Sequence, residues 1–358
     1  MKPNKTTINA VDLFCGVGGL TFGLEQAGVK VRLGVDIDPA CAFPIENNSG
    51  AKFLQADVAK LDAGALVHAL GDGVTLLAGC APCQPFSTYS RTAKQKHGVA
   101  AGTKRNDDWM LVHHFGRVIK EVKPDLVAME NVAPLSQQDI FQEFLGSLDG
   151  YWVDWAIVEC SKIGLPQSRR RLVLLASRLG PIKVPVAAGS SSTVKSVIGN
   201  LPRLAAGAQD PNDRLHRASR LSALNLTRIK NSVPGGTWRD WPEEIRASCH
   251  VKSTGATYSS VYGRMAWDTP APTITTQCFG FGNGRFGHPE QDRAISLREA
   301  AMLQGFPRNY KFIPEQEDVS FAKVGRLIGN AVPVTLGKVI GDALIDHVSN
   351  FQKSKIDD

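Results

Sequence analysis

No apolar run in the 358 residues approaches the ~18 that a membrane-spanning helix requires. The N-terminal stretch Met1-Lys2-Pro3-Asn4-Lys5 leads to Asp12 without the apolar core of a secretory leader, so none is expected. A disulfide framework is missing too, because the seven cysteines are odd in number and scattered over positions 15, 41, 80, 83, 160, 249 and 278. The 34 glycines and 20 prolines are spread along the chain and apolar residues make up 43% of it, which excludes a collagen-like fibre, a coiled coil and a disordered chain. There is no internal repeat. What remains is a soluble, cytoplasmic globular protein with no membrane partner, long enough at about 150 residues per domain for two or three domains.

Charge is unevenly placed. The net charge is +7, from 41 Lys and Arg against 34 Asp and Glu. Within residues 203–264 ten basic residues occur with five acidic ones, and within 91–105 five bases occur with no acid. Two basic blocks on an otherwise balanced chain point to a polyanion partner, the alternative being a solvated basic face.

The first half alternates short apolar runs with helical spacing. Residues 9–14, 31–36, 74–77, 125–129 and 171–176 read as strands, and 20–27 and 111–122 as helices. Strands separated by helices of this length predict βαβ units and an open α/β domain, its parallel sheet covered on both faces. The pattern weakens after about Arg178, and 187–192 reads as a connection. From there to about Pro289 the chain is rich in turn residues, Arg and isolated aromatics (Trp238, Trp241, Tyr258, Tyr262, Trp267). Helical spacing returns at 297–303 and in an amphipathic C-terminal helix marked by Leu336, Val339, Ile340, Ala343, Leu344 and Val348.

Several segments carry chemistry. Asp12-Leu13-Phe14-Cys15-Gly16-Val17-Gly18-Gly19 follows the first strand and opens the first helix, where glycines let a ligand approach the backbone and the helix dipole assists. A dinucleotide fingerprint would need Gly or Ala at position 21, which is Thr, so a pyrophosphate clamp is poorly supported. Asp36 ends the second strand, where an acid binds ribose hydroxyls, and S-adenosylmethionine has a ribose and no phosphate. Such a Gly-rich turn is also often a tight turn and nothing more.

Cys80-Ala81-Pro82-Cys83 admits three functional readings: half of a zinc site, a redox pair, or a single nucleophile at Cys83 where ligands bind open α/β sheets. A buried structural thiol is the plain alternative. No second ligand pair lies within 12 to 20 residues of it, which disfavours zinc. Glu130 closes an apolar strand, either as a functional acid or as a cap. In Gln167-Ser168-Arg169-Arg170-Arg171, alternation sets Gln167, Arg169 and Arg171 on one side, as a site or as a basic surface strand.

In their order, these segments resemble the cytosine-5 DNA methyltransferases of bacterial type. Asp12 to Gly19 is similar to that family's cofactor loop, Gly79-Cys80-Ala81-Pro82-Cys83-Gln84-Pro85-Phe86-Ser87 to its nucleophile loop, Glu130-Asn131-Val132 to its acid motif, and Gln167-x-Arg169-x-Arg171 to its arginine motif. Arg293-x-Ile295-Ser296-x-Arg298-Glu299 with Leu303-Gln304-Gly305-Phe306-Pro307 resembles the segment closing the recognition region, and Gly329-Asn330-Ala331-Val332-Pro333 the last motif. Many members have Glu where this chain has Arg170, an expected extra phosphate contact.

The resemblance implies a Rossmann-like S-adenosylmethionine-dependent methyltransferase domain over 1–179, completed by 291–358, and a smaller, irregular target-recognition domain over 180–290. It implies Cys83 as nucleophile, Glu130 as the acid beside the base, and Arg169 and Arg171 around it. Phe14, Gly16, Gly18, Gly19, Asp36, Ile37, Asp57, Val58, Pro82, Asn330 and Val332 match positions that hold S-adenosylmethionine and its product S-adenosylhomocysteine, with no metal. The implied partner is double-stranded DNA, methylated by a monomer as part of a restriction–modification or other anti-phage system. A tRNA methyltransferase of the same fold would keep these motifs. The basic loop after Cys83, through Arg105, is expected to close over DNA, and residues 203–290, including the glycine-rich Gly280 to Arg285, to contact phosphates and read bases.

Overall fold

The computed structural model describes residues 7–82, 104–187, 192–252 and 259–357. The chain divides into two compact units, one formed by 1–163, 170–188 and 332–358, the other by 164–169 and 189–331.

The first unit is built on a seven-stranded sheet of order β3-β2-β1-β4-β5-β8-β6. Its strands are β1 (Ile8–Leu13), β2 (Lys30–Asp36), β3 (Lys52–Gln55), β4 (Val74–Gly79), β5 (Leu126–Val132), β6 (Trp152–Glu159) and β8 (Arg170–Ser177). The helices α1 (Gly19–Ala27), α2 (Ala42–Asn48), α3 (Ala63–Leu70) and α4 (Lys104–Val122) connect the first five strands, which pair in parallel. Every residue of β1 is buried, as a strand covered on both faces requires. Residues Val112, Phe115, Val118 and Ile119 of α4 recur at helical spacing and are at most 1% exposed. Phe115 meets Phe144 with ring centroids 5.6 Å apart. Each such side chain contributes about 1.5–3 kcal/mol by leaving water.

The strands expected from the apolar runs are β1, β2, β4, β5 and β8. The sheet is not wholly parallel, however: β8 runs antiparallel to both β5 and β6. The chain passes from β5 through α5 (Asp139–Leu145) to β6 at the far edge, then returns between them without a helical crossover.

The second unit is irregular, as expected. It holds a two-stranded parallel ladder of β7 (Gln167–Ser168) and β9 (Ala271–Pro272) and the helices α6 (Val194–Ile198), α7 (Ala223–Lys230), α8 (Leu297–Leu303) and α9 (Phe321–Asn330). Ile229, Trp238, Trp241 and Phe281 form an apolar cluster in it. The stretch 291–331, expected with the first unit, packs within the second. Arg298 pairs with Asp213, His216 meets Ser296 Oγ at 2.9 Å, and Gln167 Nε2 donates to Gln304 Oε1 at 2.8 Å. The chain re-enters the first unit at Val332, just before α10 (Val334–Asp357). Residues 321–355 are long and apolar enough to cross a membrane by composition alone, but they form two helices, and 61% of the apolar window is buried in the protein.

Candidate active site

Sheet register gathers the candidate residues. Val35 of β2, Leu13 of β1, Gly79 of β4 and Met129 of β5 are successive partners across four parallel strands. The next residue on each strand is Asp36, Phe14, Cys80 and Glu130. These four form one transverse row at the carboxyl ends of the strands. The strand order reverses direction at β1, between β2 and β4, and ligands bind open α/β sheets at such a switch point. At about 4.8 Å per strand, the row separates Asp36 from Glu130 by about 14 Å.

The residues at the β1 and β2 end of this row are held by short-range geometry. Phe14 has φ 57°, a left-handed conformation costing a non-glycine residue about 1–2 kcal/mol, and its ring meets Phe115 edge-on at 6.4 Å. Gly16 (φ 52°) and Gly18 (φ 83°) continue the turn, and a Cβ on Gly16 would meet nothing within 4 Å, leaving the open backbone a ligand needs. Asp36 fastens the loop by accepting from Gly16 N at 2.9 Å and Asp38 N at 2.9 Å. Burial raises its pKa, opposed by those backbone donors. Ile37, next to it, is an apolar side chain left 65% exposed. Gly19 opens α1; Asp57 accepts from Ala59 N at 2.9 Å and Val58 is buried. Asn330 ends α9 in the second unit, whereas Val332 belongs to the first.

Thr21, where a dinucleotide site would have glycine, has a local job. Its hydroxyl donates to Asp12 Oδ2 at 2.6 Å, tying α1 to β1. Asp12 is 1% exposed and its Oδ1 has no hydrogen-bond partner in the protein. Burial pushes its pKa from 3.8 to about 7, with the Thr21 bond opposing the shift. Between pH 4 and 7 the folded chain therefore holds a proton that the unfolded chain has released. Stability falls as pH rises through that window, by on the order of 4 kcal/mol, and levels off above it. Asp12→Asn removes this dependence while keeping an acceptor for Thr21. In cofactor-free protein, its melting temperature relative to wild type is expected to be several degrees higher at pH 8 than at pH 5. Equal differences at the two pH values would refute the assignment.

On the other side of the row, Glu130 is 2% exposed. Its Oε1 lies 2.8 Å from Arg171 Nε, but off the hydrogen-bonding direction, so the contact is ionic and Oε1 accepts no hydrogen bond within the protein. Its Oε2 accepts from the Cys80 thiol at 2.7 Å. Beside it, Asn131 Nδ2 donates to Ala81 O at 2.9 Å, fixing the residue before Pro82. Glu130 and Arg171 are thus brought together by the β5–β8 pairing, Val132 opposite Arg171. Arg169, with which Arg171 was grouped, lies in the second unit, is 5% exposed and donates to Ile274 O at 3.3 Å. Cys83 lies outside the described residues, as does the basic loop up to residue 103. Sequence reading missed the Cys80–Glu130 contact. The two residues are fifty positions apart, and Cys80 drew notice there only as half of a C-x-x-C pair. Among the described residues, no three His, Cys, Asp or Glu side chains gather as metal ligands.

Much of the basic block at 203–264 is engaged internally. Arg264, 4% exposed, donates to Ile229 O, Ser232 O and His288 O and pairs with Asp292. Arg228 donates to Ile245 O and lies over the Trp241 and Tyr262 rings. Arg214 donates to Pro314 O, Glu315 O and Glu317 O. Arg220, Lys230 and Lys252 are exposed, as are Arg203, which pairs with Glu290, and Arg239, which lies over the Trp238 ring. The loop from Gly280 is anchored by Phe281, 2% exposed in the aromatic cluster. The Arg293 to Glu299 segment is a buried structural network. Burial opposes ionisation of Glu299, but two 2.7 Å bonds from Arg293 hold its pKa down to about 2. Burial also lowers His288 to about 4.

Comparison with known proteins bears directly on this arrangement. The model of the C-5 cytosine-specific DNA methylase family matches residues 8–346. Type II methylase M.HgiDII of Herpetosiphon aurantiacus is 48% identical over 344 residues, covering 93% of this chain and 94% of that protein. Type II methyltransferase M.Sau96I of Staphylococcus aureus is 29% identical over 362 residues, covering 96% and 77%. Among solved structures, a protein described as a DNA modification methyltransferase encoded within an E. coli prophage matches with a TM-score of 0.71 at 22% identity, over 96% of this chain and 100% of that one. The S. pombe Dnmt2 methyltransferase matches with a TM-score of 0.61 at 16% identity, over 95% and 98%. The structural likenesses show the fold; the family match over nearly the whole length, with a relative at 48% identity, shows that the chain belongs to the C-5 cytosine-specific DNA methylase family.

Proposed function

We propose that this enzyme methylates C5 of cytosine within a short sequence of double-stranded DNA, using S-adenosylmethionine and a covalent bond from Cys83 to the base. The supporting observation is the transverse row, with an acid suited to ribose at Asp36 and a buried acid with an open oxygen at Glu130. The residues fit the cofactor: the turn leaves open space at Gly16, and Asp12 Oδ1 is a buried oxygen without a partner in the protein. Phe14, Gly16, Gly18, Gly19, Asp36, Ile37, Asp57, Val58 and Pro82 would hold it, with Asn330 and Val332 at the methionine end. When bound it supplies an electrophilic sulfonium methyl group.

The chain's own residues supply the rest. Cytosine C5 is a poor nucleophile while the ring is conjugated. Addition of the Cys83 thiolate at C6 breaks that conjugation and makes C5 enamine-like. Negative charge then builds on the ring. Glu130, protonated and hydrogen-bonded to N3, stabilises it together with Arg171 near O2, and Arg169 belongs to the same arginine motif. Once C5 carries the methyl group, its proton leaves and Cys83 is eliminated. The target nucleotide must leave the duplex for this, at a cost of a few kcal/mol. The exposed cations of 203–264 and the loop through Arg105 would contact phosphates, making binding fall steeply with salt. The first unit then acts as catalytic domain and the second as target-recognition domain. The likeness to Type II methyltransferases supports a role in restriction–modification.

The test is incorporation of labelled methyl groups into duplex DNA and into tRNA, followed by bisulfite sequencing of the DNA. Methylated cytosines confined to one short sequence are expected. Incorporation into tRNA alone would transfer the assignment to the RNA-modifying alternative of the same fold.

A further inference from the structure

Cys80 directly follows β4 in the same row as Glu130, one strand away, and its thiol donates to Glu130 Oε2 at 2.7 Å. Both flanks of that thiol are fixed. Its own N–H donates to Leu13 O at 3.3 Å, and Asn131 holds the next carbonyl, Ala81 O, at 2.9 Å. Glu130 is 2% exposed, so the rotation of its carboxyl is set by protein contacts alone. One oxygen takes the thiol. The other, Oε1, has an ionic contact with Arg171 and no hydrogen-bond donor.

From this asymmetry we infer that Cys80 is a positioning residue, orienting the Glu130 carboxyl so that Oε1 carries the proton or hydrogen bond presented to the base. The inference rests on the reading of Glu130 as the acid beside the cytosine. A donor on Oε2 makes that oxygen the acceptor and leaves Oε1, which lies beside Arg171 but accepts no hydrogen bond from the protein, as the oxygen presented to the base. A thiol is a weak donor. It sets the direction of the carboxyl without tying up the second oxygen. Without it only the ionic contact with Arg171 holds the carboxyl, and a fraction of encounters meets the wrong oxygen.

The experiment measures single-turnover methylation of duplex DNA, with separate dissociation constants for DNA and cofactor. The proteins are wild type, Cys80→Ala, Cys80→Ser, Glu130→Gln and the Cys80→Ala/Glu130→Gln double variant. Loss of one neutral hydrogen bond predicts a rate roughly five- to tenfold lower for Cys80→Ala with both dissociation constants unchanged. Cys80→Ser keeps a donor and is expected within about threefold of wild type. In the Glu130→Gln background, Cys80→Ala is expected to add no further loss, because the two residues act through one contact. A wild-type rate for Cys80→Ala, a Cys80→Ser as slow as it, or an equal loss in both backgrounds would overturn the inference. Should Cys80→Ala not fold, the serine arm decides, since a tenfold loss with the donor retained also overturns it. A Glu130→Gln enzyme at full rate would bring down the reading of Glu130 and this inference together. A slow Glu130→Gln beside a normal Cys80→Ala removes only the role of Cys80.

Discussion

Cys83→Ala is expected to abolish methyl transfer, with a loss of roughly a thousandfold or more, because the variant has no group to add at C6 and C5 stays conjugated. DNA affinity should change little, since phosphate and base contacts come from other residues. The complementary result uses duplex DNA with 5-fluorocytosine at the target. Fluorine does not leave C5 as a proton does, so the enzyme should become covalently attached, and a peptide map should find the attachment at Cys83. Other thiols are poor rivals. Burial holds the Cys15 pKa well above its usual value and pushes Cys278 up to about 12, so both stay protonated. Cys80 is the serious competitor, being three residues away, but its thiol proton is engaged with Glu130. Attachment at Cys80 would exchange the two roles and remove the positioning argument. Normal turnover by Cys83→Ala would end the covalent mechanism.

Most of the first unit was legible because its strands are buried on both faces and separated by helices, so β1, β4 and β5 read as apolar runs that stop where the site begins. Strand β6 was not. Trp152, Val153 and Trp155 are each more than a third exposed, at 51%, 38% and 40%, so the strand shows neither a buried run nor a clean alternation. The direction of β8 was equally hidden, because it depends on how the chain returns from β6. Asp36, Phe14 and Glu130 were readable as strand ends; their alignment in one row became visible only with the register. The basic count over 203–264 overstated the polyanion surface, since a guanidinium that closes backbone carbonyls, as Arg264 does, looks the same in sequence as one in solvent. The second unit resisted reading for the same reason. Arg214, Arg293 and Arg298 hold it by side-chain bonds to distant or buried partners, and such bonds leave no periodic trace.

Gly23→Ala should be the most destabilising single-methyl change in the first unit. A Cβ at Gly23 would stand 2.4 Å from Val334 O and 2.5 Å from Lys338 N, both backbone atoms of α10, which cannot rotate aside as a side chain can. The same crossing brings a Cβ on Gly341 to 2.6 Å from Ala27 Cβ, so the two helices approach to backbone contact along their length. Overpacking of this kind costs about 1–3 kcal/mol when side chains can shift, and the upper end or more is expected where backbone must move. At about 2–4 °C per kcal/mol for a unit of this size, the melting temperature should fall by roughly 6–12 °C. The consequence extends to the site, because α1 begins at Gly19, directly after the turn that Asp36 fastens, and Thr21 on α1 holds Asp12. Pushing α1 away from α10 therefore moves the turn proposed to hold the cofactor, and S-adenosylmethionine binding, measured well below the melting temperature, should weaken about tenfold, equivalent to about 1.4 kcal/mol. Gly64→Ala is the control of opposite sign: it lies inside α3, its Cβ would meet only Asp62 at 3.4 Å, and helix propensity predicts a gain of up to about 1 kcal/mol. An unchanged melting temperature for Gly23→Ala would mean that α1 and α10 do not pack this closely. Lost stability with unaltered cofactor affinity would separate the crossing from the site.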